Sequence, residues 1–98
     1  MIMKNNQENI VYIVQHKEWP KYTKIGITDN LSKRISTLNT ASPTGIKILY
    51  TQKVKHKELV EKYLHIMFAK YRCHGEWFQL SKKQILNAIL EIDMLSEK

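Results

Sequence analysis

The side chains with the widest chemical range in this sequence are Tyr12, Lys24, Arg34, Glu61, His65 and Glu76. A guanidinium such as Arg34 offers a planar fork of donors to an oxyanion, and a lysine amine such as Lys24 holds a phosphate or titrates when desolvated. Glu61 and His65 are four residues apart, so on a helix they share one side, where an imidazole suits proton transfer or contacts around a metal. Each residue also has a plain structural reading. Tyr12, inside Val11-Tyr12-Ile13, reads equally as core. Arg34 beside Lys33 reads as a solvated helix face. Glu61, with Lys57 four residues earlier and His65 four later, reads as a surface ion-pair member worth little. Glu76 is a further polar group for a cleft, or the anchor of a turn.

The elements that must position these groups follow from patterning. Ile10 to Val14 is β-branched and aromatic, as in a buried strand. His16 to Lys21, with Trp19-Pro20, reads as a hairpin loop, and Tyr22 to Ile27 as the returning strand with Tyr22, Lys24 and Gly26 on one face. Thr28, Asp29 and Asn30 offer caps to a short helix carrying Leu31, Ile35 and Leu38, which Pro43 and Gly45 end. Ile46 to Val54 is expected as a third strand, with Ile46, Ile48 and Tyr50 on one face and Leu49 on the other. From His56 to Arg72, apolar residues recur every three or four positions and predict a long helix. Gly75 breaks that pattern, Glu76 to Leu80 reads as a short extended piece, and Ser81 with Gln84 forms a capping box for a final helix. The expectation is an α+β fold: a small three-stranded antiparallel sheet flanked by helices, in the order β-β-α-β-α-(β)-α. Residues 1–9 read as a polar lead, 10–95 as one domain and 96–98 as a tail.

Composition narrows the function. The longest apolar or aromatic run, Ile10 to Val14, is too short to span a bilayer, so no membrane role is expected. The polar start lacks the apolar core of a signal peptide, and one cysteine allows neither an internal disulfide nor a multi-cysteine zinc site. A cytoplasmic or otherwise intracellular protein is expected. His56, Cys73 and His74 have the wrong spacing for a zinc site with His65. The formal net charge is +7, and fifteen of the sixteen basic residues but only six of the nine acidic ones fall within residues 1–83. A basic body suits a polyanion, because phosphate contacts release counterions and steer association; solubility alone is the competing explanation.

Taken in order, Tyr12, Lys24-Ile25-Gly26-Ile27-Thr28, Asn30-Leu31-Ser32-Lys33-Arg34, Glu61 to His65 and Gly75-Glu76-Trp77-Phe78 form a set that resembles the GIY-YIG nuclease superfamily. Within it, the set is most similar to the phage T5 ORF-172-type DNA-binding branch, over roughly Val11 to Leu80. The resemblance implies an endonuclease or nickase domain that hydrolyses phosphodiester bonds of duplex or branched DNA. It implies that Glu61 holds a single Mg²⁺ or Mn²⁺, that Arg34 meets the developing phosphorane charge and that Tyr12 orients or deprotonates the attacking water. His65 then assists proton transfer or the metal shell. The second-motif tyrosine of the nuclease pattern is replaced by Lys24, which puts the general base in question; Tyr22, two residues earlier on the same face, is a candidate to reach the same place. Lys33, Lys53, Lys55, Lys57, Lys62, Lys70 and Arg72 are expected along the nucleic-acid backbone, while Trp77 and Phe78 read as core. Two other functions stay open: a non-cleaving DNA-binding module on the same fold, and an RNA- or protein-binding accessory with fold-level kinship alone.

Overall fold

The computed structural model describes residues 8–42 and 44–96. Of the expected polar lead and tail, residues 1–7 and 97–98 lie outside the described part, as does Pro43. The most buried strand is β1 (Ile10–His16), whose first five residues are all buried because both faces of the strand are covered. It pairs antiparallel with β2 (Tyr22–Thr28) on one side and β3 (Ile46–Lys53) on the other. Val11 and Ile13 face the larger core with Ile25, Val60, Leu64, Phe78, Ala88 and Ile92, beneath helices α2 (Lys57–Met67) and α3 (Lys82–Ser96). Ile10, Tyr12 and Val14 face the opposite way and pack under Leu31, Ile35 and Leu38 of α1 (Leu31–Ala41). The helix ends are capped as the sequence predicts. Asn30 Oδ1 accepts from the Lys33 amide at 3.1 Å, and Ser81 and Gln84 exchange two bonds of 3.1 and 2.8 Å. Glu8 adds a contact from outside the helix, its Oε1 accepting from the Leu31 amide at 2.8 Å.

The expected three-stranded sheet is corrected to five strands in the order β3-β1-β2-β5-β4, all antiparallel, with three α-helices around it. The two added strands are β4 (Arg72–His74) and β5 (Trp77–Gln79). The helix predicted to Arg72 stops at Met67: Phe68 leaves helical geometry (φ −107°, ψ 17°), and Ala69–Tyr71 form a 3₁₀ turn. A 3₁₀ turn repeats every three residues, so Phe68 and Tyr71 prolong the helical-looking pattern after the α-helix has ended. Gly75, at φ +58°, then makes the left-handed turn between β4 and β5, two strands too short to show a period of their own. A second correction concerns β3. An irregularity opposite Ile13 and Val14 places Tyr50 across from Ile13 and Ile48 across from Val14, so Leu49 is the extra residue. Leu49 and Tyr50 therefore both pack against the larger core, and Ile48 is exposed.

One register pair governs the α1 face. Tyr12 stands opposite Gly26, and the phenol ring lies across the glycine. A Cβ at position 26 would sit 2.4 Å from Tyr12 Oη and 2.6 Å from Cζ. The ring is 1% exposed and has nowhere to swing. Gly26→Ala is therefore expected to cost about 1–3 kcal/mol by overpacking. Denaturant unfolding should show most of that cost disappearing in a Tyr12→Leu background, because the shorter side chain no longer reaches the glycine; an unchanged cost would place the strain elsewhere.

Candidate functional site

Strand β5 pairs with β2 only from Tyr22 to Lys24. Past that point the edge of β2 is taken over by α2 and the β4–β5 turn: the Ile25 amide donates to the Glu76 carbonyl at 3.3 Å, and His65 Nε2 donates to the Ile25 carbonyl at 2.9 Å. With its Nε2 proton committed to that carbonyl, His65 presents Nδ1 as an acceptor to Arg72 Nη2 at 3.5 Å. His65 thus clips α2 to the strand edge. Its neighbour one turn earlier, Glu61, is turned into the notch left where β5 departs.

Three acidic groups meet there. Glu61 Oε2 is shielded from solvent and has no hydrogen-bond partner among the described residues; His65 Nε2 is 4.0 Å away. Burial, and then the charge of Glu76, push the Glu61 carboxyl up to about 7. Burial acts on Glu76 in the same upward direction, but the Lys24 ammonium, 2.9 Å from its Oε1, outweighs burial and holds Glu76 below the usual carboxylate range. Two adjacent carboxylates cannot both ionise cheaply, and the single lysine settles which one keeps its charge. The third acid is the Tyr12 phenol. Burial pushes it up to about 12; Arg34 pulls against that, while the Glu76 and Glu61 charges reinforce it.

Arg34 lies on the exposed side of α1 and lines a hollow of about 520 Å³ with Thr28, Asn30, Lys33, Thr37 and Lys57. Glu61 does not line this hollow. The guanidinium and the carboxylate are related through the Tyr12 hydroxyl, which feels the charge of both. The arrangement can therefore hold an anion at Arg34 beside a neutral phenol and a carboxyl that exchanges its proton near neutrality.

The other candidates take varied positions. Lys33, Lys53, Lys55, Lys62, Lys70 and Arg72 are all exposed. Lys57 is buried: its ammonium is tied to Asp29 (2.7 Å), Asn9 (3.0 Å) and Glu58 (3.3 Å), locking the start of α2 to the end of β2. Lys53 and Lys55 line a separate depression with Asn9 and Ser96. Tyr22 stands at the far end of β2, among His16, Trp19 and Trp77. Phe78 is fully buried, whereas Trp77 is half-buried on the α1 face. Sequence reasoning offered Asp29 only as a helix cap and missed its anchoring of Lys57 and the close approach at Gly26; a loop-to-helix ion pair discloses the first and strand pairing the second.

A divalent cation fits this donor set. The orphaned, buried Glu61 Oε2 is a hard oxygen lacking a partner, with the Glu76 carboxylate beside it. No group of three or more His, Cys, Asp or Glu side chains is arranged for a metal among the described residues, so such an ion would keep waters or take a phosphate oxygen.

The raised Glu61 value has a stability consequence. A folded-state value above the unfolded one means that stability falls as pH rises from about 4.5 to about 7, as the native state gives up a proton the unfolded state has already lost. Glu61→Gln should therefore melt higher than wild type at pH 8, by about 4–8 °C if the relief is about 1 kcal/mol, with the difference vanishing near pH 4. Millimolar Mg²⁺ or Mn²⁺ should raise the wild-type melting temperature and leave the Gln variant unmoved. A pH-independent difference would mean that Glu61 is not desolvated as described.

The family model of the T5orf172 domain matches residues 9–93. No curated protein and no solved structure shows a significant match to the chain.

Proposed function

The chain belongs to the T5orf172 domain family, whose members are expected to be nuclease-like or DNA-binding, and on that premise we propose that it is a metal-dependent DNA endonuclease or nickase domain of GIY-YIG type. The observation that supports this reading is the pairing of Glu61 with Glu76 in the notch beside β2, where one buried carboxylate oxygen is unpartnered and the Lys24 ammonium holds Glu76. When bound at Glu61, a divalent ion would neutralise phosphate charge and acidify a water. The remaining work falls to the chain itself. Arg34 grips the phosphate from the α1 side and opposes the charge that builds on its oxygens. Tyr12, held above 10, stays protonated at neutral pH; it orients a water or a phosphate oxygen as a hydrogen-bond donor and does not deprotonate it. Without the ion, Glu61 is held near 7 and exchanges its proton near neutrality; a bound cation would take that proton's place. Lys24 sets the charge of Glu76, and His65 positions α2.

A non-cleaving DNA-binding module is the second reading. It is favoured by Lys24, which stands where the nuclease pattern has a tyrosine and whose ammonium is engaged by Glu76.

Supercoiled plasmid separates the two. Nicking with Mg²⁺ or Mn²⁺ is expected, with loss in Glu61→Ala at unchanged circular dichroism. Arg34→Ala should lower the cleavage rate about 10²–10³-fold while DNA affinity changes only a few-fold, since its role is weighted to the transition state. Salt-dependent binding without cutting in any metal would select the binding module; absence of binding at low salt would remove both.

The cations divide by burial. Lys33→Gln and Lys62→Gln should each flatten the slope of log affinity against log salt by about 0.9 if the lysine meets a phosphate. Lys57→Gln should act first on thermal stability, because its ammonium is already spoken for by Asp29 and Glu58.

A further inference from the structure

Directly opposite residues of antiparallel strands share a face, so Val14, Lys24, Trp77 and His74 form a row across the sheet on the side of Tyr12. Helix α1 packs over the β1 end of this face, on Ile10, Tyr12, Val14 and Ile46. Toward β5 and β4 the row gives way to a second hollow of about 340 Å³, walled by His16, Trp19, Tyr22 and Trp77. His16 lies flat against Trp77, with ring centres 4.5 Å apart and planes 11° from parallel, and the edge of Trp19 closes the corner at 5.5 Å. Trp19 is 48% exposed, an unusual setting for a large aromatic with no core to complete.

Two cations already attend these rings. Lys21 Nζ is 5.2 Å from the centre of Tyr22, and Lys24 Nζ is 5.6 Å from that of Trp77. A cationic ligand would have to displace or face them, whereas a flat, electron-rich ring carried on an anionic backbone meets both features at once. Lys24 also ties the hollow to the acidic notch, because the same ammonium bonds Glu76, the residue before Trp77.

Resting on the DNA reading above, we propose that this aromatic slot receives one unstacked nucleobase of the strand whose phosphate lies at Arg34 and Glu61. The preferred substrate class is then DNA with an unpaired base next to the target phosphate: a bulge, flap, junction or single strand. In a continuous duplex the base stays stacked on its neighbours and the slot is empty.

Trp19 and Trp77 are the only tryptophans of the sequence, and both wall the slot, so intrinsic emission reports its occupancy directly. The probes are two duplexes with identical backbones, one carrying a single thymine bulge and the other an abasic residue at the same place. The thymine bulge is expected to quench tryptophan emission and to bind roughly 5- to 150-fold more tightly, the range for one stacked base. Trp19→Ala, at an exposed position, should reduce the thymine bulge to the affinity of the abasic one; Tyr22→Ala serves as the second variant. Equal affinities with unchanged emission would overturn the slot and leave DNA binding intact. Failure to bind either duplex at low salt would overturn the DNA reading and the slot with it.

Discussion

The structure hinges on the fit of one ring over one glycine. Tyr12 is buried in β1, and its phenol crosses Gly26 at a distance that leaves no room for a Cβ. That crossing delivers a polar hydroxyl from the middle of the sheet to the edge where β5 has left β2. The charges of Arg34 on α1, and of Glu61 and Glu76 on α2 and the β4–β5 turn, all act on that hydroxyl. A larger residue at position 26 would push the ring away.

The acidic notch shows how one cation settles the protonation of three neighbours. Lys24 bonds Glu76 and keeps it ionised. The ionised Glu76, added to burial, then drives Glu61 toward its neutral form and the phenol further from ionisation. Lys24 thus supplies the charge that sets the poise of the remaining groups. An unpartnered buried oxygen is a cost that folded proteins seldom carry without a use, and Glu61 Oε2 is such an oxygen.

The positively charged surface is less uniform in purpose than its composition suggests. Lys57 lies at the junction of β2 and α2 and holds Asn9, Asp29 and Glu58 together, so it belongs to the frame of the hollow. Lys21 and Lys24 lie over aromatic rings at the other end of the same face. The Arg34 hollow borders α1, the aromatic hollow lies on the same face of the sheet, and the acidic notch opens at the strand edge between that face and α2.

Local sequence determined the elements whose signals are local. The β-branched run of β1, the alternation of β2, the Asn30 cap, the Ser81–Gln84 box and the apolar periodicity of α2 and α3 are all legible from residues within a few positions of one another. The candidate residues Tyr12, Arg34 and Glu61 were legible as a motif in order, and the T5orf172 family was legible from that motif. Contacts between distant segments were not legible: strands β4 and β5, each three residues long, gain their hydrogen bonds from β2 and from one another, and the extra residue in β3 is fixed by pairing with β1. The same holds for the opposition of Tyr12 and Gly26, the Lys24–Glu76 pair and the stacking of His16 on Trp77. Chain chemistry near a residue sets its conformation, but its charge state and its partners depend on what the fold brings from far along the chain, and that is decided in three dimensions.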